Sequence, residues 1–145
     1  MRAGDMGTSI ALLYRYSQSY FNEELKKYGL GNGQHVFLLY LLEHEGINQE
    51  TLAHMVKIDK TTAARAIAKL VEAGYVKRTV SDSDRRAYVL TTTKKTQSIK
   101  KELKKTMDAW RKIVEKGLTA DECRRFDDFL DHAVQNVVMQ EAREA

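Results

Sequence analysis

Two adjacent arginines, Arg85 and Arg86, stand beside Asp82 and Asp84 in the run VSDSDRRAYVLTTT (80–93). A guanidinium presents a fixed fork of donors, so this pair offers a grip on phosphate, on carboxylate or on the negative floor of a nucleic-acid minor groove. The aspartates would be repelled by phosphate. They suit a different task, pairing with the arginine forks and fixing the direction in which one of them points. A second cluster lies upstream in DKTTAARAIAKLVEA (59–73). At ~100° per residue, Ala63, Ala66, Ile67 and Leu70 fall on one side, and Thr61, Thr62, Arg65, Lys69 and Glu72 on the other. Short hydroxyls and an arginine near a helix start can reach base edges and phosphates in a major groove. The bland alternatives are a solvated helix face and an exposed turn whose charges protect a strand edge.

Both clusters depend on the elements around them. Helical spacing of Ile10, Leu13, Tyr14, Ser17, Phe21 and Leu25 predicts a long amphipathic helix from Thr8 to Tyr28, broken by GLGNG (29–33). A short buried helix follows over Gln34 to Glu45. Asn48 suits the N-cap of a helix over Gln49 to Val56, with Glu50 near its positive start. Asp59 caps the next helix, Lys60 to Ala73, which Gly74 stops. Two helices joined across Lys57-Ile58-Asp59 resemble a helix-turn-helix. Strand composition in Tyr75 to Ser81 and Ala87 to Thr93 predicts a hairpin, with Arg85 and Arg86 at its tip. A hairpin directly after a helix-turn-helix makes a winged helix. Ile99, Leu103, Met107, Trp110 and Val114 then continue at helical spacing. Thr119 with Glu122 forms a capping box, and Leu118 with Cys123 a hydrophobic staple, for a last helix carrying Phe126, Phe129, Leu130, Val134 and Val137.

The fold class expected is mostly α (α+β): a winged helix-turn-helix with long N- and C-terminal helices forming a dimerisation region. Its parts are an N-terminal dimerisation helix (1–33), a DNA-binding unit (34–95) and C-terminal dimerisation helices (96–145), with no independent linker. The terminal helices have broad apolar faces for a chain of 145 residues, which favours a homodimer over packing within one chain. The net charge of +4 fits an anionic partner without demanding one. No apolar run approaches the about 20 residues of a membrane span. With one cysteine and no apolar leader, the expected location is the cytoplasm.

The run DKTTAARAIAKLVEAGYVKR…DSDRRAYVLTTT, with the order of elements around it, resembles the MarR family of transcriptional regulators over nearly the whole chain. The resemblance implies a homodimer that binds double-stranded DNA on a pseudo-palindromic operator, commonly a repressor released by a small phenolic or other aromatic effector. Carried over by position, Thr61, Thr62 and Arg65 face the major groove, Arg86 enters the minor groove, and Asp84 orients it. Lys60, Gln49 and Lys69 fall to phosphates, and Arg85 stands beside Arg86 on the wing. One departure is evident. The family commonly shows Leu-Thr-x-x-Gly after the wing, and the matching positions read Thr92-Thr93-Lys94-Lys95-Thr96, leaving the strand-to-helix junction open.

Sensor residues are weaker. Tyr14, Arg15, Tyr40 and Trp110 could line an aromatic pocket with a cation for a carboxylate, or equally be core and interface residues. Some relatives sense peroxide through an N-terminal cysteine, whereas Cys123 has an adequate structural reason at its staple position. His35, His44, His54 and His132 lack tight metal-ligand spacing, and no cofactor is expected. Without a nucleophile motif or a Gly-rich phosphate loop, no enzyme is expected. The competing function is a winged-helix module that binds protein or structured RNA.

Overall fold

A computed structural model describes residues 4–145. The order of elements is α1 (Met6–Leu25), a 3-10 turn (Lys26–Tyr28), α2 (Gln34–Glu43), β1 (Ile47–Asn48), α3 (Gln49–Val56), α4 (Lys60–Glu72), β2 (Val76–Val80), β3 (Tyr88–Thr92), α5 (Lys94–Val114) and α6 (Ala120–Glu144). The chain divides into two compact units, one through Asp108 and one from Ala109 onward, with the boundary inside α5.

The first unit holds the hydrophobic core. Phe21 and Leu25 of α1 are buried, as are Phe37, Leu38 and Leu41 of α2, Leu52 of α3, Ile67 and Leu70 of α4, Leu90 of β3, and Ile99 and Leu103 of α5. The sequence pattern places α1 and α2 within two residues of their observed bounds, except that the last turn of α1 tightens to 3-10 geometry. Ala66, expected on the inner side of α4, is only half-buried, while Ala63, Ile67 and Leu70 are fully covered.

The hairpin carries a strand that composition did not suggest. β1 pairs antiparallel with β3, Ile47 opposite Leu90 and Asn48 opposite Val89, so the sheet runs β1-β3-β2. Two residues carry no periodicity, so no pattern could mark this strand. Its effect is to tie the base of the wing to the start of α3, because Asn48 closes β1 and also caps that helix. The Asn48 side chain accepts from the Glu50 amide at 2.7 Å and the Thr51 amide at 3.4 Å.

In the second unit, α6 begins with the predicted capping box. Thr119 Oγ1 accepts from the Glu122 amide at 3.3 Å, and the Glu122 carboxylate accepts from the Thr119 amide at 2.7 Å. Asp121 receives Arg124 and Arg125 on the next turn, and Arg111 binds both Glu115 and Asp127. None of the residues of α6 is buried. Phe129 is 71% exposed and Val137 62%.

Candidate nucleic-acid interface

The turn between α3 and α4 sets the position of α4. Lys57 adopts φ 61° and ψ 40°, the left-handed conformation that usually ends a helix at glycine. Its amide donates to the His54 carbonyl and the Ile58 amide to that of Ala53, which closes α3 within one residue. Asp59 then starts α4, its carboxylate accepting from the Thr62 amide at 2.9 Å. That bond holds the Asp59 carboxyl below its ordinary pKa, because the amide favours the charged form.

On α4 the buried stripe faces inward, and Lys60, Thr61, Thr62, Arg65 and Lys69 are all exposed. The helix N-terminus therefore presents two hydroxyls and a guanidinium outward. Lys60 is not free, since its ammonium lies 2.6 Å from a Glu50 carboxylate oxygen. Both partners are largely exposed, so a phosphate could displace Glu50 at small cost.

The wing follows the register Val76↔Thr92 to Val80↔Tyr88, continued by the Ser81 amide on the Ala87 carbonyl at 2.9 Å. At its tip the Asp84 carboxylate accepts from the backbone amide of Arg86 at 3.0 Å. Among the described residues no salt bridge joins Asp82 or Asp84 to Arg85 or Arg86. The fork-to-fork pairing suggested by the sequence is thus replaced by an Asx turn: Asp84 shapes the backbone under Arg86 and leaves its guanidinium unpaired. Both arginines are exposed.

A cleft of about 380 Å³ opens between the start of α3, α4 and the wing. Gln49, Lys60, Asp84 and Arg86 all line it, so four of the expected contact residues share one space. Gln49 Oε1 is buried there with no hydrogen-bond partner. Thr61, Thr62, Arg65, Lys69 and Arg85 lie outside its walls. Tyr88 also lines the cleft, with the Arg78 guanidinium 4.6 Å from its ring centroid. This pair was missed in the sequence, although strand alternation carries the signal. Val80 faces Tyr88, which places Arg78 on the neighbouring diagonal of the same face.

Tyr14 and Arg15 are exposed on α1, Tyr40 is half-buried on α2, and Trp110 is half-buried in the second unit. None of them lines this cleft or a second one that runs past His54, Ile58 and Asp59. Burial, and secondarily Glu115, push the Cys123 thiol above its usual pKa, which disfavours the reactive thiolate. Among the described residues no group of three or more His, Cys, Asp or Glu side chains could hold a metal ion, and no helix is long and apolar enough to cross a membrane.

A helix-turn-helix with a three-stranded wing, flanked by long helices, defines a winged-helix protein. Residues 30–88 match the MarR family. The chain is 30% identical over 133 residues to the HTH-type transcriptional regulator YybA of Bacillus subtilis (strain 168), covering 92% of this chain and 89% of that one. It is 38% identical to a MarR transcriptional regulator from Methanosarcina mazei Go1, with a TM-score of 0.86 over 92% of this chain and 96% of that one. A MarR family regulator from Listeria monocytogenes, solved in complex with 26mer DNA, superposes with a TM-score of 0.88 at 28% identity, covering 94% and 91% of the two chains. The protein belongs to the MarR family of transcriptional regulators.

Proposed function

We propose that the protein binds a pseudo-palindromic operator in double-stranded DNA as a homodimer, and acts as a repressor released by a small aromatic ligand. The observation that carries the DNA reading is the shared cleft, where Arg86 of the wing and Lys60 at the start of α4 line one space while Thr61, Thr62 and Arg65 face outward beside it. In this reading Thr61, Thr62 and Arg65 meet base edges, and Lys60, Lys69 and Gln49 meet phosphates. Arg86 enters the minor groove on a backbone turn that Asp84 holds, with Arg85 beside it. The functional parts are the N-terminal helix (1–33) and the C-terminal helices (96–145) for dimerisation, and residues 34–95 for DNA. Support for the homodimer comes from the uncovered apolar faces, with Leu13 of α1 43% exposed and Val134 of α6 55%. Two recognition helices on one dimer read half-sites about one helical turn apart. The repressor role and the ligand follow the family pattern, with Tyr14, Arg15, Tyr40 and Trp110 as the residues to vary first.

The test is selection of bound sites from a random duplex library, followed by titration of the selected site at several salt concentrations. Arg86→Ala should weaken operator binding by ~1–3 kcal/mol and lower the salt slope by about one. Equal affinity for random duplex and structured RNA, or an Arg86→Ala protein with wild-type affinity and slope, would refute this reading. Repeating the selection with simple aromatic acids tests release.

A further inference from the structure

At the C-terminal exit of α4, three consecutive backbone carbonyls each meet a side-chain donor from the segment that opens α5. The Lys95 ammonium donates to the Ala73 carbonyl at 2.6 Å, Thr93 Oγ1 to that of Gly74 at 2.6 Å, and Thr96 Oγ1 to that of Tyr75 at 2.5 Å. The Thr93 amide adds a bond to the Tyr75 carbonyl at 3.2 Å. The stem of Lys95 lies against Gly74, where an added Cβ would sit 3.7 Å from its Cδ, and its ammonium stands 4.4 Å from the Tyr75 ring centroid. The Tyr75 hydroxyl in turn donates to the Tyr28 carbonyl, just past α1.

Helix capping does not account for these bonds. The Tyr75 amide already reaches the Leu70 carbonyl and the Gly74 amide that of Val71, with Gly74 at φ +81°, which closes α4 by a Schellman motif. The carbonyls from Ala73 to Tyr75 lie at or beyond that cap, and water could satisfy any exposed one. What the side chains add is direction, because they fasten the exit of α4 to the first turn of α5. Thr96 occupies the position where the related pattern has glycine. It is fully buried, and its hydroxyl supplies a bond that glycine cannot make.

We infer that Lys95, with Thr93 and Thr96, is a positioning clamp that makes the orientation of α4 follow α5, and so sets how Thr61, Thr62 and Arg65 meet the groove. This rests on the DNA-binding reading proposed above. Lys95 itself touches no DNA. Loss of the clamp therefore degrades recognition of the operator, which needs alignment, and spares binding to arbitrary duplex, which needs only charge.

Lys94 provides the control, being an adjacent exposed lysine that makes none of these clamp contacts. Wild type, Lys95→Gln, Lys94→Gln and Lys95→Arg are titrated against the selected operator and a random duplex of equal length over a salt series, with thermal melts in parallel. Lys95→Gln should lower operator affinity about tenfold relative to Lys94→Gln, a coupling of ordinary size. The two glutamine variants should match on random duplex, in salt slope and in melting temperature, and Lys95→Arg should recover most of the loss. The clamp is overturned if Lys95→Gln loses no more operator affinity than Lys94→Gln. It is equally overturned by a uniform loss on both duplexes with the slope lower by about one, or by a lowered melting temperature with the operator preference intact. A wild type with no preference for any duplex would remove the DNA-binding reading, and the clamp with it.

Discussion

α4 and α6 are both amphipathic helices with a side-chain cap at the N-terminus, and they treat their apolar faces in opposite ways. α4 is 13 residues long and buries Ala63, Ile67 and Leu70 within its own unit. α6 is 25 residues long, has Phe129, Leu130, Val134 and Val137 at helical spacing, and buries none of them. Apolar spacing and the presence of a cap are common to both helices and do not tell them apart. The difference teaches that an apolar stripe says only that a helix wants cover, not whether the cover comes from the same chain. For α4 it does. For α6 it awaits the homodimer proposed above.

The largest test of that contrast is a pair of truncations in dilute protein. Leu70→Ala should cost ~2–5 kcal/mol by urea unfolding, since it empties a fully covered site. Val134→Ala should cost less than about 0.5 kcal/mol under the same conditions. A Val134→Ala cost near that of Leu70→Ala, independent of protein concentration, would break the comparison.

The buried face can also be probed through protons. His35 is 6% exposed, with the Phe21 ring 4.5 Å away, and burial lowers its pKa to about 4 from 6.5. The folded state therefore binds its proton less readily than the unfolded chain. Stability contributed by the neutral ring is complete above pH ~6.5 and is lost as pH falls towards ~4, a change of about 3 kcal/mol at most. His35→Phe should flatten the urea midpoint across that window. An unaltered slope would mean that the histidine is solvated.

The smallest expected effect sharpens the comparison at the helix starts. Asp59→Ala and Thr119→Ala should each cost ~1 kcal/mol. The first should register in global unfolding and the second in amide exchange over the first turn of α6. Identical readouts for the two would contradict the division of the chain near Asp108.

Much of this architecture was legible because local chemistry dictates it. Asn48, Asp59 and the Thr119–Glu122 pair cap as their types and spacing indicate, and Gly74 ends α4 at a positive φ. The outward set on α4 followed from angle alone. The wing was legible as composition, but the partner of Asp84 was not. The backbone amide two residues on and any nearby guanidinium compete for that carboxylate, and at an exposed tip the local bond prevails. β1 escaped because its pairing with β3 joins residues far apart in sequence. The junction after the wing escaped because a threonine stands where the pattern has glycine, and its hydroxyl seeks a carbonyl 21 positions earlier.

The reciprocal lock between Thr119 and Glu122 bears on how fast two copies could come together. A rod whose opening turn is already wound meets its counterpart as a finished surface, so little chain disorder remains to be frozen at encounter. Assembly of that kind is governed by collision and alignment of rigid bodies, and a ragged opening turn would add a folding step to every encounter.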